Sequence, residues 1–329
     1  MHVGRLLSAA SGVVRRAMST TVAVLLPCYN EEAAIGATVA GFRAALPDAT
    51  IYVYDNNSSD RTIEVARAAG AVVRSERIQG KGAVVRRMFA DVDADIYVMA
   101  DGDATYDAAA APELVARLLD EQLDMVVGQR VSEAALAYRR GHRFGNAMLT
   151  GMLARLFGRS FTDILSGYRV FSRRFVKSFP SLSAGFEIET EISVHALELR
   201  MPVAEVTTRY FARPEGSASK LSTYGDGFRI ARTIATLYRI ERPLWFFGAI
   251  GLLLALIAVV LAVPIVITYL HTGLVPRFPT AILATGLVIL ASLCLFSGLI
   301  LDTVVRGRRE VRRLAYLAHP APGSGSIAR

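Results

Sequence analysis

Cysteine is nearly absent from this chain of 329 residues, which has only Cys28 and Cys294. One lies in a stretch of ordinary soluble composition and the other deep in an apolar run. A disulfide between them is not expected, and the soluble part is expected in a reducing compartment. Acid is absent from residues 1–20, which carry Arg5, Arg15 and Arg16 among Ser and Ala. That composition also suits an organelle transit peptide, or a start codon placed too early, because Met18 immediately precedes the first strand pattern. We read residues 1–20 as a disordered leader. No RNA- or DNA-binding motif accompanies the net charge of +8, so no nucleic-acid partner is expected. The spacing of a P-loop is missing too.

The mean hydropathy is +0.37, and nearly all of the excess sits in residues 243–301. Two charge-free runs, 243–270 and 279–301, are each long enough to cross about 30 Å of hydrocarbon. The loop between them carries only Arg277. Outside them lie Arg229, Arg232, Arg239 and Arg242 on one side, and Arg306, Arg308, Arg309, Arg312 and Arg313 on the other. This asymmetry predicts a hairpin with both ends in the cytoplasm, against anionic lipid. The expected organisation is a leader (1–20), a soluble domain (21–222), a basic amphipathic helix on the membrane surface (223–242), two spans (243–301) and a basic cytoplasmic tail (302–329). The tail from His319 is rich in Pro, Gly and Ser and reads as disordered.

In the soluble part, short β-branched runs at 22–26, 51–54, 71–73, 96–100 and 124–127 alternate with helical patterns at 31–45, 60–69, 81–91 and 111–121. Strand–helix alternation predicts parallel βαβ units and an α/β sheet covered on both faces. Beyond residue 130 the pattern loosens, to helices over 144–158 and 186–199, a strand over 203–208 and a basic amphipathic stretch over 224–240.

Ligands of such sheets bind at the carboxyl ends of the strands, where the polar clusters fall. Tyr29-Asn30-Glu31-Glu32 ends the first strand, Asp55-Asn56-Asn57-Ser58-Ser59-Asp60 the second, and Asp101-Gly102-Asp103 the fourth. Side chains at i and i+2 of an extended chain point the same way. Asp101 and Asp103 would therefore repel unless a cation joined them, and a hard divalent ion, Mg2+ or Mn2+, suits both them and substrate phosphates. Asp55 stands ready to accept hydrogen bonds from a nucleoside, while Ser59 or Asp60 suits the cap of the next helix. Gly80-Lys81-Gly82 opens a helix with a cation and flexible backbone, which attracts phosphate. Arg213-Pro214-Glu215-Gly216-Ser217-Ala218-Ser219-Lys220 is a basic loop near the membrane runs, suited to a lipid phosphate or simply to solvent.

Taken in order, Pro27-x-Tyr29-Asn30-Glu31, Asp55-x-x-Ser58-x-Asp60, Gly80-Lys81-Gly82 and Asp101-x-Asp103 resemble the family 2 glycosyltransferases of GT-A fold. Asp163-x-x-Ser166-Gly167-x-Arg169 and Arg213-x-x-Gly216-x-x-Ser219-Lys220 look like the subgroup that glycosylates polyprenyl phosphates, the dolichol-phosphate mannose synthase group. The resemblance runs from about 22 to 222, and the paired spans are similar to those of bacterial members acting on undecaprenyl phosphate. It implies that Pro27, Tyr29, Glu31 and Asp55 hold the nucleoside, with Lys81 and Gly102 in the donor site. Asp101 and Asp103 would hold the diphosphate through the metal, with Arg130 near the donor. Arg213 and Lys220 would hold diphosphate or acceptor phosphate. Where many members continue Asp-Ala-Asp with Leu-Gln, this chain has Ala104-Thr105, so Thr105 stands in place of an amide.

The expected reaction is inverting transfer of a hexose from a nucleotide-sugar, UDP ahead of GDP, to a polyprenyl phosphate. It would take place at the cytoplasmic face of the plasma (inner) membrane, by a multi-pass protein whose catalytic domain is cytoplasmic. A phosphate acceptor is already largely dianionic at neutral pH, its second pKa being about 6, so no general base is required. Glu187, Glu189 and Asp163 remain arguable bases for the competing reading, transfer to a hydroxyl of another membrane lipid. A non-catalytic protein that binds nucleotide-sugar or lipid is the alternative of a different class. Homo-oligomerisation is left open.

Overall fold

In the computed structural model the five β-branched runs and the expected strand over 203–208 join one further strand in a single seven-stranded sheet, ordered β3-β2-β1-β4-β6-β5-β7. The structure describes residues 20–131, 161–181, 187–213 and 239–323, with 151, 154 and 236 individually. The expected helix over 144–158, most of the stretch 224–240, and Lys220 lie outside the described residues.

The strands are β1 (Val22–Cys28), β2 (Thr50–Asp55), β3 (Val72–Ser75), β4 (Ile96–Met99), β5 (Met125–Val131), β6 (Arg169–Ser172) and β7 (Val203–Arg209). Between them run α1 (Ile35–Ala45), α2 (Thr62–Ala68), α3 (Lys81–Asp91), a 3-10 turn at Ala108–Ala110, α4 (Ala111–Asp120), α5 (Arg173–Ser178) and α6 (Ile188–Glu198). The strands β3, β2, β1 and β4 are parallel, as the alternation predicts. The sheet is nevertheless mixed: β6 runs antiparallel to both β4 and β5, while β5 and β7 are parallel. Four residues, Arg169–Ser172, make β6. So short a run, followed at once by α5 with Ser172 as its cap, leaves no periodicity to read.

Local chemistry sets several ends. Leu46 closes α1 just before Pro47. Gly80, at the start of α3, has φ 127, a conformation open mainly to glycine. Asp107 caps the 3-10 turn by accepting from Ala109 N. Arg61, rather than Ser59 or Asp60, occupies the N-cap of α2, although Asp60 Oδ1 takes the Thr62 N–H at 3.0 Å. Side chains on alternate faces of β1 enter two separate cores. Leu25 packs with Met99, Phe171 and α6 residues on one side, and Val24 and Leu26 pack with Phe42 and Leu114 on the other.

Two long helices follow, α7 (Pro243–Thr272) and α8 (Phe278–Leu317). At 1.5 Å per residue they measure about 45 and 60 Å. Both are long and apolar enough to cross a bilayer, and most of their apolar surface is exposed. They touch through small residues spaced seven apart, Gly251 and Ala258 against Ala284, Ala291 and Gly298. A methyl on Gly251 would lie 2.9 Å from Ala291 O. Helix α8 does not stop where the charge-free run ends at Leu301. It carries the basic segment 302–317 onward as one helix.

Candidate active site

The central strands β2, β1 and β4 end side by side, so their three polar clusters meet at one edge. Cys28, the last residue of β1, lies at the centre and is 3% exposed. Burial pushes its thiol well above the ordinary range, and the carboxylates of Glu31, Asp55, Asp101 and Asp103 push it further. The thiol is therefore neutral and unreactive, and it marks the point around which four acids gather.

The first two loops are stitched together. Asn30 has φ 52, which aims its amide oxygen at Ser59 N, 2.8 Å away, while Asn30 N donates to Ser58 Oγ at 2.8 Å. Glu31 N donates to Thr62 Oγ1, also at 2.8 Å. Asn56 ties in the third loop, giving hydrogen bonds to Glu76 O and Ile78 O and accepting one from Gly80 N. Within this frame Asp55 is 2% exposed. Its Oδ2 accepts from Ser58 N at 3.1 Å, but its Oδ1 has no partner among the described residues. A buried carboxylate oxygen left so is costly unless a ligand donor reaches it. Tyr29 is exposed, Glu31 is buried, and Pro27 lies buried within β1.

The Asp101–Asp103 turn carries its acids in different settings. Asp103 is 3% exposed. Its Oδ1 accepts from Thr105 Oγ1 at 2.6 Å and from Thr105 N at 3.2 Å, and its Oδ2 meets Arg213 Nη2 at 2.7 Å. Thr105 thus takes up the orientation of Asp103. Asp101 is more open, and its Oδ1 sits 2.5 Å from Lys81 Nζ. Lys81 also meets Glu189 Oε1 at 2.6 Å. Burial works against its ammonium, but Asp101 and Glu189 together hold its pKa above that of an ordinary lysine. Each acid of the pair therefore faces a cation, and the donor set is hard carboxylate oxygen. No cluster of three or more His, Cys, Asp or Glu side chains suited to a metal occurs among the described residues. A divalent ion here would complete its shell with phosphate oxygens and water, the usual habit of Mg2+.

Two glycines line this turn for steric reasons. A methyl on Gly102 would lie 2.3 Å from Cys28 Sγ, and one on Gly167 would lie 2.8 Å from Asp101 Oδ2 and 3.2 Å from Lys81 Nζ. Gly167 was not singled out among the candidate site residues; only its place in the Ser166-Gly167 motif pointed to it. Tyr106 was missed as well. It is buried, it accepts from Gly167 N at 2.8 Å, and it lies edge-on to Tyr210. Burial raises its hydroxyl above the usual range.

Arg130 is brought to the same side but is engaged. Its Nε and Nη2 grip Asp163 at 2.7 and 2.8 Å, and its guanidinium lies over the Tyr210 ring. Arg169 is fully buried beneath the 163–167 turn. It donates to Ser166 O at 2.9 Å, to Ile164 O and to Ser193 Oγ at 2.9 Å. Burial lowers its pKa to about 10, and Glu189 and Asp163 work in the opposite direction. It remains charged at neutral pH and shapes the turn that delivers Gly167.

Comparison with known proteins identifies the family of the chain. Residues 23–179 match the family described as glycosyl transferase family 2. The chain is 35% identical to glycosyltransferase AglJ of Haloferax volcanii over 232 residues, covering 70% of this chain and 76% of that one. It is 28% identical to a dolichyl-phosphate hexose transferase of the same organism over 221 residues, covering 67% and 95%. Among solved structures, glucosyl-3-phosphoglycerate synthase of Mycobacterium tuberculosis, in complex with Mn2+, uridine diphosphate and phosphoglyceric acid, is similar. Its TM-score is 0.54 at 25% identity, over 67% of this chain and 78% of that one. The chain is a glycosyltransferase and belongs to glycosyl transferase family 2.

Proposed function

We propose that this enzyme transfers a hexose from a UDP-sugar, with inversion, to a polyprenyl phosphate at the cytoplasmic face of a membrane crossed by α7 and α8. The observation that carries the reading is the convergence of Asp55, Asp101 and Asp103 on one sheet edge, with a buried Asp55 oxygen lacking a donor. Asp55 would take a donor hydrogen from the nucleoside, and Tyr29 and Glu31 would flank it. Asp101 and Asp103 would hold Mg2+ or Mn2+, which supplies charge neutralisation for the departing diphosphate. Arg213 would then turn from Asp103 to phosphate, as would Lys81 from Asp101, adding donors where negative charge develops.

Two of the three arguable bases are engaged, which supports a phosphate acceptor, while Glu187, the third, is exposed. Glu189 is tied to Lys81 and Asp163 to Arg130, so neither stands ready to take a proton from a hydroxyl. A phosphate acceptor brings its own nucleophile and needs no such base. The relative named for dolichyl-phosphate hexose transfer supports the same class, and the neighbour solved with uridine diphosphate and Mn2+ supports the donor. The Arg-poor loop at Arg277 and the Arg-rich outer flanks support cytoplasmic ends.

The test is transfer of radiolabelled sugar from UDP- and GDP-donors to polyprenyl phosphate in vesicles, with and without Mn2+. Asp103→Ala is expected to abolish transfer while leaving insertion and the unfolding transition in place. Retained transfer by that variant would remove the metal assignment. A rate that requires a lipid alcohol, with an added ionisation near neutral pH, would move the reading to a hydroxyl acceptor.

A further inference from the structure

Beyond the charge-free run, α8 continues for roughly 16 residues, about 24 Å, and this segment is docked on the catalytic domain. Arg309 Nε meets Glu198 Oε1 at 2.7 Å, and Arg309 Nη2 meets Glu241 Oε2 at 3.1 Å. Arg312 Nη1 pairs with Glu198 Oε2. One turn further on, Tyr316 Oη donates to Asp124 Oδ2 at 2.9 Å. Arg174 of α5 holds that same carboxylate and lies 4.7 Å from the Tyr316 ring centre. The acids are dry: the side chains of Glu198, Glu241 and Asp124 are 3%, 6% and 0% exposed. Exposed ion pairs contribute little to geometry, but a buried carboxylate that loses its partner is left uncompensated, so such contacts are held closed.

The connection runs on to the site. Glu198 is the last residue of α6, and Glu189 lies in its first turn. Nearly every residue of this helix is buried, which makes it a rigid strut of about 16 Å. At its far end Glu189 holds Lys81, which holds Asp101. Glu241 stands just before α7, so the same Arg309 also grips the entry to the first long helix. A single cluster thus joins both long helices to the helix that reaches the acid-lined edge.

We propose that Arg309, Arg312 and Tyr316 are positioning residues that fix the catalytic domain in one orientation over the membrane, so that the site meets an acceptor phosphate held at the bilayer surface. This rests on the proposed transfer to a membrane lipid phosphate. A loose tether would leave the chemistry intact but let the domain tumble away from a lipid-bound acceptor. A water-soluble acceptor would not feel the difference.

The test uses the full chain in vesicles and compares a long-chain polyprenyl phosphate with a short, water-soluble prenyl phosphate. The Arg309→Ala/Arg312→Ala variant is expected to raise the KM for the long-chain acceptor at least tenfold. Its KM for the nucleotide-sugar and its kcat/KM for the short acceptor should stay within twofold, and Arg309→Lys/Arg312→Lys should restore most of the loss. Spin labels at Arg67→Cys and Thr285→Cys, in a Cys294→Ala background, should give one narrow distance that broadens in the double-alanine variant. Equal losses with both acceptors, no change in the long-chain KM, or a distance that stays narrow would overturn the proposal. If the unaltered chain uses neither prenyl phosphate, the acceptor reading fails, and the distance measurement alone decides on the clamp.

Discussion

Gly102 offers a test of the site that depends on one atom. Its φ lies outside the left-handed region, so alanine fits the backbone there. The obstacle is Cys28 Sγ, 2.3 Å from the added methyl, whereas Ile35 Cδ1 at 3.3 Å and Pro27 O at 3.5 Å need move little or not at all. Carbon–carbon contacts are best at about 3.5–4.0 Å, and sulfur is no smaller, so the overlap exceeds an ångström. Overpacking of this kind costs about 1–3 kcal/mol. Cys28→Ala removes the offending atom and, alone, costs about 1 kcal/mol of lost burial. The double variant Gly102→Ala/Cys28→Ala should therefore be nearly as stable as Cys28→Ala, with a favourable coupling of about 1–3 kcal/mol. Denaturant unfolding in detergent, followed by fluorescence, reads these differences. Calorimetric titration with Mn2+ and UDP should show the same rescue, because the strained methyl lifts the turn that carries Asp101 and Asp103. Simple additivity of the two substitutions would refute the argument that Cys28 demands glycine at 102.

Three further outcomes follow from the geometry. Gly167→Ala should weaken Mn2+–UDP binding at least tenfold, because its methyl meets Asp101 and Lys81; unchanged affinity would place the donor elsewhere. Tyr106→Phe leaves the buried Gly167 N–H without its acceptor, and should lower stability by about 1–3 kcal/mol in thermal unfolding. The third concerns His195, whose pKa is lowered to about 3 by burial and then by the Arg312 charge, from an ordinary 6.5. Folded His195 is neutral, while the unfolded chain takes up a proton below about pH 6.5. Its contribution is thus complete above that pH, and it is lost at about 1.4 kcal/mol per unit as pH falls toward 3. Unfolding free energies of the unaltered chain and of His195→Gln should converge between pH 6.5 and 5, with a slope that grows from about 0.7 toward about 1.4 kcal/mol per unit, and parallel lines would count against it.

Residues and spacing were enough to expect the parallel half of the sheet, the convergence of Tyr29–Glu31, Asp55 and Asp101–Asp103, and the two long helices. Those features rest on local signals, namely β-branched runs, 3.6-residue periodicity and uninterrupted apolar length. The antiparallel β6 was not legible, because four residues between a turn and a helix cap carry no period. Gly102 was expected in the donor site, but the Cys28 sulfur that leaves no room for a methyl there lies far away along the chain. The pairing of Arg130 with Asp163 and of Lys81 with both Asp101 and Glu189 was hidden for the same reason.

The sequence by itself determined where the acids and glycines stand along the chain and which family they resemble, since acids at strand ends and glycine at a helix start follow from neighbouring residues. Only the tertiary structure decided which of those charges are already spoken for. It also decided that the basic segment 302–317 is helical and bound to the sheet domain, because Arg309 and Arg312 find Glu198 and Glu241 only after the chain has folded back across more than 60 residues. Long-range partners of buried charge are set by packing, and no local pattern records them.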